Sequence, residues 1–189
     1  MGIKQWMAAL AMAVGMGTVH AAPVQYSGTL GSGAPVTGTV GGFSYFLDQG
    51  ALVNYWRIAA VAGATISLSA SRLNGNLDPM LGLWFGTTSA DTSAFIDGID
   101  WGGMTFIGGL DDEHAPALPG PNGDPFGSFI APFTGIYTII IGGGLSTDTG
   151  PYAYSLTATA IPEPATFGLL AAGVLGAGLS RRRVRRSTT

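Results

Sequence analysis

Asp111, Asp112 and Glu113 stand side by side and form the densest run of charge between the two ends of the chain. Asp78 lies upstream, immediately before Pro79, and residues 74–78 read Asn-Gly-Asn-Leu-Asp, with an oxygen-bearing side chain at every second position. Hard cations such as Ca²⁺ take about six to eight oxygen ligands, and a loop of alternating Asn and Asp supplies several. The pattern is not an EF-hand: Pro79 falls where that loop needs Gly, and no Glu follows at the required spacing. Asn and Asp are also selected by turns for their geometry, so solvated turn carboxylates are the alternative reading.

Other chemistry is sparser. The chain holds two histidines, His20 and His114, and no cysteine. Once a signal segment containing His20 is removed, a paired-histidine zinc site is excluded and no thiolate can replace it. His114 beside Asp111 and Asp112 suggests a catalytic base, but no G-x-S-x-G elbow supplies a serine, so a solvated loop histidine is expected. Asp97 and Asp100 flank Gly98-Ile99, with Trp101 next; paired carboxylates suit glycoside hydrolysis and an indole face suits a sugar ring. Trp56 and Trp84 lie in strand-like runs and are expected in the core. Trp101, followed by Gly102-Gly103, is expected to be exposed and is the candidate sugar contact. No residue is assigned a catalytic role.

The net charge of −3 hides an uneven distribution. Between residues 22 and 160 the basic residues are Arg57 and Arg72, against ten acidic ones, which leaves −8. Such a domain repels phosphate backbones, so nucleic acid is excluded as a partner and cations are favoured. Hydrophobic residues make up 47% of the chain and charged ones 10%, a composition that builds a core rather than a disordered tail.

The elements that would position these residues are strands. Residues 65–71 alternate Ile66, Leu68 and Ala70 with hydroxyl side chains, and residues 152–157 place Tyr152, Tyr154 and Leu156 on one face. Residues 135–141 read as a buried central strand, and 54–61, 79–85 and 126–133 are further candidates. Gly, Asn and Asp clusters separate them. The expected fold is all-β, an antiparallel β-sandwich or jelly roll over residues 22–160, flanked by an N-terminal signal helix and a short C-terminal transmembrane helix.

Both ends carry trafficking features. Lys4, the apolar residues 6–19 and Val19-His20-Ala21 form a secretory signal peptide, residues 1–21, implying passage through the secretory translocon. Near the other end, Pro162-Glu163-Pro164 precede an apolar run over 165–179 and the cluster Arg181, Arg182, Arg183, Arg185 and Arg186. About 15 residues of helix span roughly 22 Å, short of the ~30 Å bilayer core. The arginines read as a cytoplasmic stop, leaving everything before Pro162 outside. An extended Pro-Glu-Pro beside a membrane segment is accessible to a protease.

This order of elements over residues 161–189 resembles the PEP-CTERM sorting signal. The resemblance implies an exosortase-type membrane protease as partner, cleavage near Pro162-Glu163-Pro164, and a transient stay in the inner membrane. Delivery would be to the cell surface or extracellular matrix of a Gram-negative bacterium that makes exopolysaccharide. A plain membrane anchor is the alternative. The middle of the chain, through "YWRIAAVAGATISLSA", "NLDPMLGLWF", "LDDE", "FIAPFTGIYTIIIGG" and "GPYAYSLTAT", resembles a bacterial pre-peptidase C-terminal domain. That resemblance implies a small β-sandwich and, because some such domains bind calcium, Asp78, Asp111, Asp112 and Glu113 as candidate Ca²⁺ ligands. Such modules usually accompany an enzyme, but residues 22–54 are too few for a catalytic domain. The expected role is therefore structural or binding, with a carbohydrate-binding module acting on exopolysaccharide or a small secreted hydrolase as alternatives.

Overall fold

In the computed structural model, residues 23–41, 53–116, 118, 122–144 and 150–163 are described. The expected signal helix and C-terminal transmembrane helix both lie outside the described residues. Nine strands form two stacked sheets: β1 (Tyr26–Leu30), β2 (Val36–Val40), β3 (Asn54–Ala60), β4 (Thr65–Arg72), β5 (Pro79–Phe85), β6 (Thr105–Leu110), β7 (Phe126–Ile130), β8 (Gly135–Gly143) and β9 (Tyr152–Ile161). One sheet has the order β1-β3-β8-β5-β6 and the other β2-β9-β4-β7. The fold is the expected all-β sandwich.

Between the named strands pairing is antiparallel except for β1 and β3, which run parallel, with Leu30 opposite Ile58. The first sheet is therefore mixed. The reason is topological. The chain leaves β1 at one edge of the five-stranded sheet and enters β2 at the edge of the other sheet, so the two successive strands never form a hairpin.

β4 shows the cleanest link from pattern to packing. Ile66, Leu68 and Ala70 are buried, while Thr65, Ser67, Ser69 and Ser71 are only partly covered. Ser67 meets Ser128 across the β4–β7 pair at 2.8 Å. β8 does not alternate because both its faces are covered. Tyr137, Ile139 and Ile141 enter the core between the sheets; Ile140 enters a second cluster on the outer face. That cluster gathers Val53, Tyr55 and Trp84 under Phe95, Trp101 and Met104 from the long β5–β6 connection. The Trp84 indole N–H donates to the carbonyl of Ile99 at 2.8 Å and ties the connection down.

A buried hydrogen-bond relay joins the sheets. Trp56 Nε1–H donates to the Tyr154 hydroxyl at 2.9 Å, which donates to Asn54 Oδ1 at 2.7 Å. Burial pushes the Tyr154 hydroxyl up to about 12, partly offset by the Trp56 hydrogen bond.

Candidate metal centre

The antiparallel β5–β6 register sets Leu81 opposite Leu110. Asp78, just before β5, is thereby brought to the turn that follows β6, where Asp111 and Asp112 stand. One carboxylate oxygen from each of Asp78, Asp111 and Asp112 lies within 4.8 Å of the others. Asp78 is buried at 6% exposure, Asp111 is partly buried and Asp112 is exposed, so the group runs from the sandwich interior to solvent. Asp111 Oδ1 is buried without a hydrogen-bond donor. Burial, with the neighbouring Asp112 and Glu113 charges, holds the Asp111 carboxyl above the usual carboxylate range.

The loop around this group is fastened by side chains. Asp112 Oδ1 accepts the Gly123 N–H at 2.7 Å. Glu113 Oε2 accepts the N–H of Asp111 at 2.9 Å and of Phe126 at 3.2 Å. Glu113 thus serves the loop backbone and is not drawn into the three-carboxylate group. Arg72, at 1% exposure, anchors the facing segment: Nε donates to Asp124 Oδ1 at 3.2 Å, and Nη2 to the carbonyls of Asn122 at 2.5 Å and Gly123 at 2.7 Å. Asp124 in turn pairs through its backbone with His114, at 3.0 and 2.8 Å. The Arg72–Asp124 ion pair went unread in the sequence because 52 residues separate its members.

His114 is exposed, as expected, with its ring stacked on Phe126 at 4.3 Å. Trp56 and Trp84 are buried, as expected. Trp101 corrects the expectation placed on it. It is only 7% exposed, stacked on Tyr55 at 6.5 Å and edge-on to Phe95 at 5.3 Å, because Gly102 and Gly103 form the turn that folds it inward. No indole face is left for a sugar ring. Asp100, its neighbour, accepts the Phe106 N–H at 2.8 Å.

Pro162 and Glu163 emerge from the end of β9, exposed. Residues 160–184 match the family model of the PEP-CTERM protein-sorting motif. The chain carries a PEP-CTERM sorting signal. It is an exported protein with a β-sandwich fold, and the motif implies processing by an exosortase at the membrane. No curated protein matches this PEP-CTERM chain. Among solved structures it is similar to CorA, a surface-associated copper-binding protein of Methylomicrobium album BG8, at 16% identity and TM-score 0.52, covering 74% of this chain and all of CorA. It is also similar to the pre-peptidase C-terminal domain of a Bacillus anthracis collagenase, at 12% identity and TM-score 0.41, covering 71% and 97%. The secreted protein MopE of Methylococcus capsulatus follows at 10% identity and TM-score 0.48, covering 75% and 92%. At 16% identity the likeness to CorA speaks for the fold alone.

Proposed function

We propose that residues 22–160 form a non-catalytic structural or binding module that works at the cell surface or in the extracellular matrix. On this reading the signal peptide, residues 1–21, directs the chain through the translocon. Residues 161–189 then hold it briefly in the inner membrane of a Gram-negative cell until exosortase cuts near Pro162-Glu163-Pro164. Asp78, Asp111 and Asp112 hold a Ca²⁺ ion, which locks the ends of β5 and β6 to the 122–124 segment. The observation that carries this reading is the convergence of three carboxylates from two chain segments within 4.8 Å. All-oxygen donors suit a hard cation. Copper favours imidazole and sulfur, and outside the signal segment the sequence offers one histidine, His114, and two methionines, Met80 and Met104, with no cysteine.

The test is a thermal melt of residues 22–163 with Ca²⁺ and with a chelator. Calcium at about 100 times its Kd adds about 2.7 kcal/mol to the folded state. For a domain of this size that raises the midpoint by about 8 °C. For a Kd of about 10⁻⁴–10⁻³ M that excess is about 10–100 mM calcium, and coincident melts there would reduce the three carboxylates to solvated turn residues.

A further inference from the structure

The sorting signal leaves the sandwich at the end opposite the carboxylates, and that end is apolar apart from Glu163 at the exit from β9. Three segments meet there: the β3–β4 turn, the β7–β8 turn and the end of β9. Gly63 N–H donates to the Ala131 carbonyl at 2.9 Å, Ala131 N–H to the Ala64 carbonyl at 2.8 Å, and Ala62 N–H to Thr134 Oγ1 at 2.9 Å, so the two turns form one surface. β4 carries the third segment alongside, with Thr65 paired to both Ile130 and Ile161. Val61 (47% exposed), Ile130 (59%), Phe133 (48%) and Ile161 (61%) project from this end. An open hollow beside them is lined by Ala60, Val61, Ala64, Ile136 and Pro162. Neither residues 58–71 nor residues 126–144 contain a charged side chain.

We infer that in the uncleaved precursor this apolar end sits in the headgroup layer of the membrane, with the carboxylate end facing away. The inference rests on the reading that residues 165–179 enter the bilayer. If they do, the tether is very short. Four Cα steps from Ile161 to Ala165 reach at most about 14 Å, while one headgroup layer is about 5–8 Å thick. A tether of that length leaves the sandwich at most about 6–9 Å beyond the headgroup layer, and the end it holds nearest the lipid is the one carrying exposed aliphatic and aromatic side chains. Exposed apolar residues clustered in this way mark an interaction surface. With no basic residue on it, the surface meets lipid by apolar insertion rather than by attraction to anionic headgroups. A sandwich pressed to the bilayer in this pose also holds Pro162-Glu163-Pro164 at the membrane surface, where a membrane protease works.

The chain has no cysteine, so single-cysteine probes are unambiguous. The exported precursor, residues 22–189, would be reconstituted in phosphatidylethanolamine–phosphatidylglycerol vesicles. An environment-sensitive fluorophore would be placed at Val61→Cys, at Ile130→Cys, at Asn76→Cys near the carboxylate end, and at Leu175→Cys in the tail. The expected result is a several-fold emission gain with blue shift at positions 61, 130 and 175, and none at 76. Insertion at 175 with aqueous spectra at 61 and 130 overturns this inference and leaves the anchor reading standing. An aqueous spectrum at 175 overturns both. A blue shift at 61 in lipid-free residues 22–163 that grows with protein concentration assigns the patch to a second copy and also overturns the inference.

Discussion

Asp111→Asn isolates the electrostatic claim of the proposed metal centre. With oxygens of Asp78, Asp111 and Asp112 within 4.8 Å, each pair of full charges repels by about 0.9 kcal/mol at the dielectric of water and about 3.5 kcal/mol at an effective dielectric of 20. Asp112 is exposed, so its pairs lie near the lower figure. Replacing Asp111 removes two of the three pairs and, with the Asp78–Asp111 pair also set near the lower figure because Asp111 is only partly buried, relieves about 2 kcal/mol of repulsion in the metal-free protein. Its buried Oδ1 accepts no hydrogen bond, so little is lost in exchange. In chelator at low salt, Asp111→Asn should melt about 6 °C above the wild type, by differential scanning calorimetry. In calcium the order should reverse, because the wild type gains a ligand and the variant has lost one. A variant that melts with or below the wild type in chelator would refute the repulsion argument. A variant that gains as much from calcium as the wild type would remove Asp111 from the site.

Arg72→Met should cost about 3–5 kcal/mol in chemical denaturation, because it leaves the Asp124 carboxylate buried without its ion pair. Tyr154→Phe should cost about 1–3 kcal/mol at pH 7 through the Trp56 and Asn54 partners it strands. The Tyr154 hydroxyl titrates near 12 when folded against about 10 when unfolded. Its contribution is therefore complete below pH 10 and lost as pH rises through 12, and the stability gap between wild type and variant should narrow over that window. Replacing Pro162, Glu163 and Pro164 together by alanine should leave the precursor uncleaved in the membrane fraction, as seen by immunoblot against the wild type.

The legible part of the fold was what alternation encodes. Residues 65–71 and 152–157 fall in β4 and β9, and 79–85 coincide with β5. β1, β2 and β6 were not read as strands, because their sequences YSGTL, VTGTV and TFIGGL are broken by glycine. Two of those glycines, Gly38 and Gly108, are packing devices. A Cβ at Gly38 would strike the Tyr154 hydroxyl, and one at Gly108 the Phe129 ring, so each lets an aromatic side chain lie on the backbone. At the candidate site, the acidic types were visible but their meeting was not: Asp78 and Asp111 converge through the register of a hairpin with a connection of 19 residues, 86–104. Trp101 failed for a related reason. A Gly-rich neighbourhood suggests a surface loop, yet this one folds back over the outer face of a sheet that needs covering.

Isothermal titration of residues 22–163 with Ca²⁺ bears most directly on the proposed centre. The account predicts one saturable site per chain, with a Kd of about 10⁻⁴–10⁻³ M as in other extracellular modules, absent from Asp78→Asn/Asp111→Asn. A wild-type titration with no saturable heat at millimolar calcium, or the same isotherm from the double variant, would contradict it.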